Sequence, residues 1–214
     1  MLFKNCEELI SNGQTPLFKK ARQDILDILS YAIDSVDPYN AVKKSFDGEQ
    51  IVFDSKTFDL SDFKNVYLVG FGKASVGMAQ AVCDSIDIVK GVIVTNDTSS
   101  NVKHNNIITF VGGHPIPNQT SIDGADEILE TIKMCGEDDL LIVLISGGGS
   151  ALLCKPRISL KELQDTTDLL LRCGANINEI NTLRKHLSLV KGGQLVKYAN
   201  CTVCLLYTSP SPRD

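Results

Sequence analysis

Apolar residues first recur with helical spacing between residues 17 and 36. The stretch "LFKKARQDILDILSYAIDSV" is followed shortly by Pro38, which is typical of a position just past a helix end. One helical stripe collects its apolar side chains, which are Leu17, Ala21, Ile25, Ile28, Leu29, Ala32 and Ile33. The next stretch, "EQIVFDSKTFDL", reads as two short strands that turn at Asp54, Ser55 and Lys56. We therefore predict a helix and a small hairpin over residues 1–60, packed on the rest of the chain.

From Asn65 onward, short apolar runs alternate with helical patterns. The predicted strands are "NVYLVG", "GVIVTN", "IITFVGG", "LLIVLIS" and, near the end, "CTVCLLY". The predicted helices are "KASVGMAQAVCDSI", "TSIDGADEILETIKMC", "SLKELQDTTDLLLRCG" and "INEINTLRKHLSLVKGG", the third opening with a capping box between Ser159 and Glu162. Such a pattern is typical of an α/β fold, a doubly wound and mostly parallel sheet with helices on both faces. We assign it to residues 61–206 and expect residues 207–214 to be a disordered, non-native Pro/Ser tail.

Composition narrows the class of protein. The chain has 214 residues, of which 43% are hydrophobic and 22% charged, as in a globular lobe with a real core. A net charge of -5 argues against nucleic acid or an anionic membrane as the partner. The sequence shows no charged-then-apolar leader and no apolar run long enough for a bilayer, and its seven cysteines are an odd number. We therefore expect a cytoplasmic protein.

The pair Cys201-x-x-Cys204 is the one cysteine motif. A zinc site would need a second ligand pair of similar spacing, which the three histidines do not supply. We therefore predict no metal site and read the cysteines as small apolar residues.

The strand "LLIVLI" runs directly into Ser146, Gly147, Gly148, Gly149 and Ser150. Glycine permits a positive φ and lets a ligand meet main-chain N–H groups directly. Successive amides in such a turn form an anion-binding concavity, and a following helix adds its dipole. A tight turn needed only for packing is the alternative. Three glycines between two hydroxyl residues favour the anion site, with phosphate as the natural guest.

Two further strand ends carry unusual sequence, at residues 70–75 and 112–118. Ligands of parallel α/β sheets bind outside the carboxyl ends of the strands. Lys73 lies where a strand passes into a helix, and a cation there opposes the helix dipole unless an anion is nearby. A solvent-facing lysine is the alternative. His114, held between glycines and prolines, either positions a substrate or has no role.

Familiar phosphate motifs do not fit these loops. A P-loop would need glycine at Tyr67 and a hydroxyl residue at Ala74, and the dinucleotide fingerprint would need glycine at Ser75. A hydrolase elbow would need glycine at Leu152.

The last predicted helix carries cations beside its apolar stripe. Arg184, Ser188 and Lys191 follow at i, i+4 and i+7, next to a stripe formed by Ile180, Leu183, Leu187 and Val190. Two cations without an intervening carboxylate indicate an anion clamp. A solvated helix face explains the pattern equally well.

Four stretches together resemble one family. "VGFGKASVGMA", "GGHPIPN", "EDDLLIVLISGGGSALL" and "TTDLLLRCGANINEINTLRKHLSLVKGG" resemble the N-terminal, Rossmann-like lobe of the glycerate 2-kinases. The resemblance implies a transfer of the ATP γ-phosphoryl group, with Mg²⁺, to the 2-hydroxyl of D-glycerate, which gives 2-phosphoglycerate. Lys73 matches the active-site lysine of the family's Gly-Lys-Ala motif, and residues 146–150 match its ligand loop. Arg184 and Lys185 match an Arg-Lys-His-Leu segment that borders the cleft.

These matches define the predicted site. We expect Lys73 and Arg184 to be catalytic, and we expect the binding residues to be Gly72, His114, Ser146, Gly147, Gly148, Gly149, Ser150 and Lys185. The implied partners are glycerate and ATP, without nucleic acid or membrane, and the oligomeric state is open, with a homodimer as one option. A hydroxypyruvate reductase and a non-catalytic anion- or nucleotide-binding module are the alternative functions.

The end of the chain departs from the resemblance. Family members continue after "KGGQLVKYA" into a strand, an acidic turn and a second lobe, whereas "CTVCLLYTSPSPRD" follows here. We therefore expect an incomplete copy with little or no kinase activity on its own.

Overall fold

A computed structural model of the chain describes residues 3–53 and 56–207. Its helices are α1 Cys6–Ser11, α2 Pro16–Ser35, α3 Pro38–Lys43, α4 Ser75–Cys83, α5 Gln119–Met134, α6 Gly149–Leu152, α7 Leu160–Arg172 and α8 Ile177–His186. Its strands are β1 Phe46–Asp47, β2 Gln50–Phe53, β3 Lys56–Asp59, β4 Val66–Phe71, β5 Lys90–Thr95, β6 Ile107–Val111, β7 Leu140–Ile145 and β8 Thr202–Tyr207. The predicted hairpin turn at Asp54 and Ser55 and the predicted tail from residue 208 onward lie outside the described residues.

The main sheet has five parallel strands in the order β6-β5-β4-β7-β8. Val69 at the centre of β4 pairs with Val92 on one side and Val143 on the other. The chain moves outward from β4 through β5 to β6, and then returns to the opposite side of β4 for β7 and β8. The prediction of a doubly wound parallel sheet is confirmed, including "CTVCLLY" as its edge strand.

Apolar side chains cover both faces of this sheet because successive residues of a strand point to opposite sides. Leu68 packs in a core with Met78 and Val82 of α4, on one face. Val69 packs in a second core with Ile128 and other residues of α5, on the other face. The continuous apolar runs therefore mark central strands, as their composition predicts.

The amino-terminal segment joins the first of these cores. Strands β1, β2 and β3 form a small antiparallel sheet, and Ile51 of β2 is fully buried in the same core as Leu68. Val42 of α3 is buried there too.

Helix α2 forms as predicted, but its apolar stripe is not covered. Thr15 caps the helix by accepting a hydrogen bond from the Phe18 amide at 3.2 Å, and Pro16 follows it. Leu26 is the one buried residue of α2, whereas Ile25 and Ile28 of the stripe are 56% and 67% exposed. Amphipathic spacing predicts which side chains share a face, and it does not supply a partner for that face. No helix within residues 3–53 and 56–207 has the length and apolarity to cross a membrane.

Helix α8 is shorter than predicted. It ends at His186, because the chain beyond it pairs with residues 155–157. The Arg157 amide donates to the Leu187 carbonyl, and the Leu189 amide donates to the Lys155 carbonyl, both at 2.9 Å. The predicted helix through Lys191 is therefore wrong. The capping box on α7 is confirmed, with Ser159 and Glu162 each bonded to the other's amide.

Candidate functional site

The glycine-rich loop after β7 lies against the turn between β4 and α4. The Lys73 amide donates to the Gly147 carbonyl at 2.9 Å, and the Ala74 amide donates to Ser146 Oγ at 3.0 Å. The Ser146 amide in turn donates to the Phe71 carbonyl at 3.1 Å. The loop therefore lies between the two strands where the sheet changes direction, the position at which open α/β sheets bind ligands.

Two glycines at this junction are required by close packing. Gly72 has a φ of +130°, and a Cβ there would lie 2.5 Å from the Ser146 carbonyl oxygen. A Cβ on Gly149 would lie 2.8 Å from the Phe71 ring. The packing alternative weighed for the triple glycine therefore accounts for Gly149, and close packing explains Gly72 as well.

The other two glycines of the loop, Gly147 and Gly148, have different surroundings. Gly147 is exposed, and no atom lies within 4 Å of the Cβ position it lacks. Gly148 has a φ of +84°, and its missing Cβ would lie 3.0 Å from the His114 ring and 3.3 Å from Lys73 Cε. Three predicted site residues, Gly148, His114 and Lys73, thus converge on one point.

Three amides of the loop are without a hydrogen bond to any described residue. They belong to Gly147, Gly148 and Ser150, whereas the Gly149 amide donates to the Ser146 carbonyl at 3.2 Å. Unpaired amides next to one another in such a turn can bind an anion through their N–H groups. The helix that follows, α6, has only four residues, so the prediction that a helix dipole supports this anion site is wrong.

Lys73 supplies a cation beside these amides. Its side chain is exposed, and within the described ranges its ammonium forms no ion pair. The strand-to-helix position predicted for it is confirmed, because β4 ends at Phe71 and α4 begins at Ser75. The ammonium is therefore available to an incoming anion.

His114 is presented by a loop that α5 holds in place. Asn118 caps α5, and its Oδ1 accepts hydrogen bonds from the Gly113 and Ser121 amides, both at 3.0 Å. The imidazole is exposed and lies over Gly148. The partner that the sequence did not reveal for His114 is thus the glycine-rich loop.

The segment around α8 fastens the loop from the opposite side. Arg184 donates from its guanidinium to the Ser150 carbonyl at 3.2 Å, and Lys191 Nζ donates to the Leu153 carbonyl at 2.9 Å. Arg184 therefore reaches the loop and Lys191 reaches the residue after α6. Both bind main-chain oxygens, and Lys191 does so from beyond the end of α8. Ser188 is buried, and its Oγ accepts hydrogen bonds from the Val190 and Lys191 amides, both at 3.2 Å. The predicted polar edge on one helix face is wrong.

Lys185 is not brought to the loop. It is exposed and its side chain lies beside Gly192, whose missing Cβ would be 3.4 Å from Lys185 Cγ. Among the predicted site residues, it alone has no described contact with the loop or its neighbours.

Lys191 is a half-buried cation next to the site. Loss of hydration in the protein interior lowers the pKa of Lys191 from 10.5 to about 8, and the neighbouring Arg184 charge acts in the same direction. Sequence reasoning placed Lys191 on a helix edge that fits an anion clamp and a solvated face equally well, and left it out of the predicted site.

A cavity of about 690 Å³ is lined in part by Lys73 and by no residue of the glycine-rich loop. Its walls include Tyr39, Val76, Asp97 and Lys103, from α3, α4 and the chain after β5. Hydrogen bonds from the hydroxyl groups of Ser100 and Ser99 hold the pKa of Asp97 at about 2.

Sequence reasoning missed this cavity, although the polar stretch "NDTSS" after β5 could have indicated it. β5 is the neighbour of β4, so their carboxyl ends share one edge of the sheet.

The described residues contain no group of three or more His, Cys, Asp or Glu placed to hold a metal ion. All seven cysteines are free thiols. Burial raises the pKa of Cys135 to about 12 and that of Cys204 to about 11, so neither is poised to react as a thiolate.

Comparison with known proteins extends this picture. A glycerate 2-kinase of Pyrococcus horikoshii is 44% identical over 191 residues, which are 86% of this chain and 42% of that protein. A D-glycerate 2-kinase of Thermotoga maritima is 36% identical over 176 residues, or 80% of this chain and 39% of that protein. This chain thus spans about two fifths of the length of these relatives.

Two solved structures share the fold. One is a Pyrococcus horikoshii protein with a TM-score of 0.81 and 41% identity, covering 91% of this chain and 45% of its own. The other is a Thermotoga maritima glycerate kinase with a TM-score of 0.75 and 34% identity, covering 89% and 44%. A family profile described as "Domain of unknown function (DUF4147)" matches residues 24–214. Since that match covers most of the sequence, the chain belongs to the DUF4147 family.

Proposed function

We propose that this chain forms the anion-binding lobe of a glycerate 2-kinase, which transfers the ATP γ-phosphoryl group to the 2-hydroxyl of D-glycerate. One observation carries the proposal: the unpaired amides of Gly147, Gly148 and Ser150 lie beside the Lys73 ammonium at the point where the sheet changes direction. Residues 61–206 form the lobe in this proposal, and residues 1–60 pack on it. The kinase names of the relatives agree with it.

The proposed reaction needs positioning and charge stabilisation more than a protein nucleophile. The hydroxyl oxygen of glycerate bonds to the γ-phosphorus, the bond from that phosphorus to the ADP oxygen breaks, and the hydroxyl proton is released. N–H groups and an ammonium that are fixed before the reaction stabilise the negative charge on the transferred group. Main-chain amides of residues 147–150 and the side chain of Lys73 would do this here.

Arg184 acts on the loop in this proposal. Its guanidinium donates one hydrogen bond to the Ser150 carbonyl, and a guanidinium has five N–H donors. The remaining donors can meet a phosphate or carboxylate beside Ser150. His114, over Gly148, would border the same anion.

The residues present fit the phosphates of ATP, because unpaired main-chain N–H donors of the loop lie beside the Lys73 side chain. Mg²⁺ in nucleotide sites is commonly held by one or two carboxylates together with the phosphates. Asp97, in the cavity beside Lys73, is a carboxylate suited to that role. A binding role for Lys185 stays a prediction.

Calorimetry on the purified 214-residue chain tests the proposal with ATP, D-glycerate and inorganic phosphate as separate probes. We expect Lys73→Met to weaken binding of an anionic probe by about 10-fold to 100-fold, the usual range for a lost charge-assisted contact. Lys197→Met, which removes another exposed lysine, is the matched control and should bind like the parent chain. Equal binding by Lys73→Met and the parent would overturn the assignment of Lys73.

Turnover separates the alternative functions. Release of ADP with D-glycerate supports the kinase, whereas NADH oxidation with hydroxypyruvate supports a reductase. Ser75, at the place of the third fingerprint glycine, is fully buried and donates to the Gly72 carbonyl at 2.7 Å, so that position is filled by a packed side chain. Binding of ATP and glycerate with neither reaction would indicate a non-catalytic module.

A further inference from the structure

The cysteine motif of the sequence, Cys201-x-x-Cys204, is divided by the main sheet. Cys201 lies one residue before β8 and packs against the core that contains Val69. Cys204 packs against the core that contains Leu68. These two cores lie on opposite faces of the sheet, because successive residues of a strand point to opposite sides. The two thiols of the motif are therefore not placed to bond to each other.

Cys201 lies instead beside Cys135, the residue at which α5 ends. Cys135 is buried in the same core against which Cys201 packs. The chain turns after α5, and the Thr202 amide donates to the Asp139 carbonyl of that turn at 3.2 Å. This bond brings the start of β8 to the end of α5. The two thiols are in hydrogen-bonding contact, with Cys135 as the donor.

We propose that Cys135 and Cys201 are a modification site, a thiol pair that a peroxide oxidises to a disulfide within the chain. The Cys201 sulfur attacks one oxygen of hydrogen peroxide, the O–O bond breaks, one water leaves, and a sulfenic acid remains on Cys201. The Cys135 sulfur then displaces the hydroxyl group of that sulfenic acid, which leaves as a second water. Two thiols and one peroxide thus give one disulfide and two waters. This inference is independent of the proposed function.

The surroundings of the two thiols assign their roles. Burial raises the pKa of both, and the Asp139 carboxylate acts in the same direction on each. The hydrogen bond from Cys135 lowers the pKa of Cys201, and Cys201 is half-buried whereas Cys135 is buried. Cys201 is therefore the thiol that reacts first. The raised pKa values keep the thiolate fraction small, so the reaction is slow at neutral pH.

Peptide mapping of the full 214-residue chain tests the pairing. The folded chain is oxidised with hydrogen peroxide, alkylated without reduction and digested. We expect the peptides of Cys135 and Cys201 to be linked, and the exposed Cys173 reports that the oxidant has acted. Cys204→Ala is the matched control and should form the same link. A link between Cys201 and Cys204, or oxidation of Cys173 while Cys135 and Cys201 stay thiols, would overturn the proposal.

The reaction order has its own test. In Cys135→Ala the second step cannot occur, so Cys201 should stop at the sulfenic acid, which dimedone traps. In Cys201→Ala dimedone should label Cys135 far less, because that thiol is buried. Circular dichroism checks that both variants keep the fold of the parent. Equal labelling of the two cysteines would overturn the order of attack.

Thermal unfolding tests whether the fold already places the two sulfurs for bonding. A disulfide between them closes the long loop from the end of α5 to the start of β8, which restricts the unfolded chain. The midpoint of the oxidised parent should therefore rise by about 5 °C or more, and dithiothreitol should reverse the rise. Cys201→Ala, treated in the same way, should show no rise. A linked parent whose midpoint does not rise would mean that the bond strains the fold, and would refute this placement.

Discussion

Replacing Lys191 with methionine should change how the stability of the chain depends on pH. Lys191 is the one lysine whose pKa burial depresses markedly within the described ranges, to about 8. Its ammonium donates to the Leu153 carbonyl, and no carboxylate of residues 3–53 or 56–207 forms an ion pair with it. The folded chain therefore keeps a poorly hydrated cation at neutral pH.

The direction of this pH dependence follows from the number of protons that the folded and unfolded states bind. Between pH 8 and 10.5 the folded state has released the Lys191 proton while the unfolded state still binds it, so stability rises with pH across that window. Below pH 8 Lys191 is protonated in both states, and the poorly hydrated charge destabilises the folded state in full. The difference between the two pKa values corresponds to about 3 kcal/mol of folding free energy. The variant has no such penalty. It leaves the Leu153 carbonyl without a donor, which costs about 1–3 kcal/mol at every pH.

Urea denaturation of the parent chain and of Lys191→Met, at several pH values from 7 to 10.5, measures this effect. The free energy of unfolding of the parent should gain about 3 kcal/mol on the variant as the pH rises from 8 to 10.5. Taking the difference between the two proteins cancels the titrating groups that do not interact with Lys191. Lys197→Met, an exposed lysine, should show no such change relative to the parent. A constant difference between parent and Lys191→Met across this range would refute the lowered pKa of Lys191.

Two other positions at the site offer stability tests by the same denaturation assay. Gly72→Ala should lower the free energy of unfolding by more than about 3 kcal/mol, because the new Cβ would collide with Ser146 and alanine would be strained at this φ. The control is Gly193→Ala, at a positive φ with open space around it, which should lower it by only about 1–2 kcal/mol. Equal losses in the two variants would contradict the collision. Asn118→Ala should lower the free energy of unfolding by about 1 kcal/mol, because it removes the cap of α5. Asn118→Asp keeps a side-chain acceptor and should recover most of that loss. An equal loss in both variants would contradict the capping role of Asn118.

Most of the fold could be predicted because its signals are local. Strands such as β4 and β7 are continuous apolar runs, and the helix starts at Ser159 and Asn176 carry capping boxes. The end of α8 could not be predicted. It is set by pairing of residues 187–189 with residues 155–157, about thirty positions earlier, and no local residue marks it. The exposure of α2 escaped prediction for a related reason, since spacing defines a face and says nothing of what covers it.

The candidate site, too, has features that local sequence predicts and features that depend on distant contacts. Lys73, His114 and the glycine-rich loop could be placed together because the carboxyl ends of parallel strands meet at one edge of a sheet. Within the loop, spacing could not distinguish Gly149, which makes room for the Phe71 ring, from Gly147, which borders open space. Nor could it show that Arg184 contacts the loop through a carbonyl. Those distinctions depend on contacts across the sheet edge. Lys191, which sequence placed on the helix, lies beyond its end because residues 187–189 pair with residues 155–157.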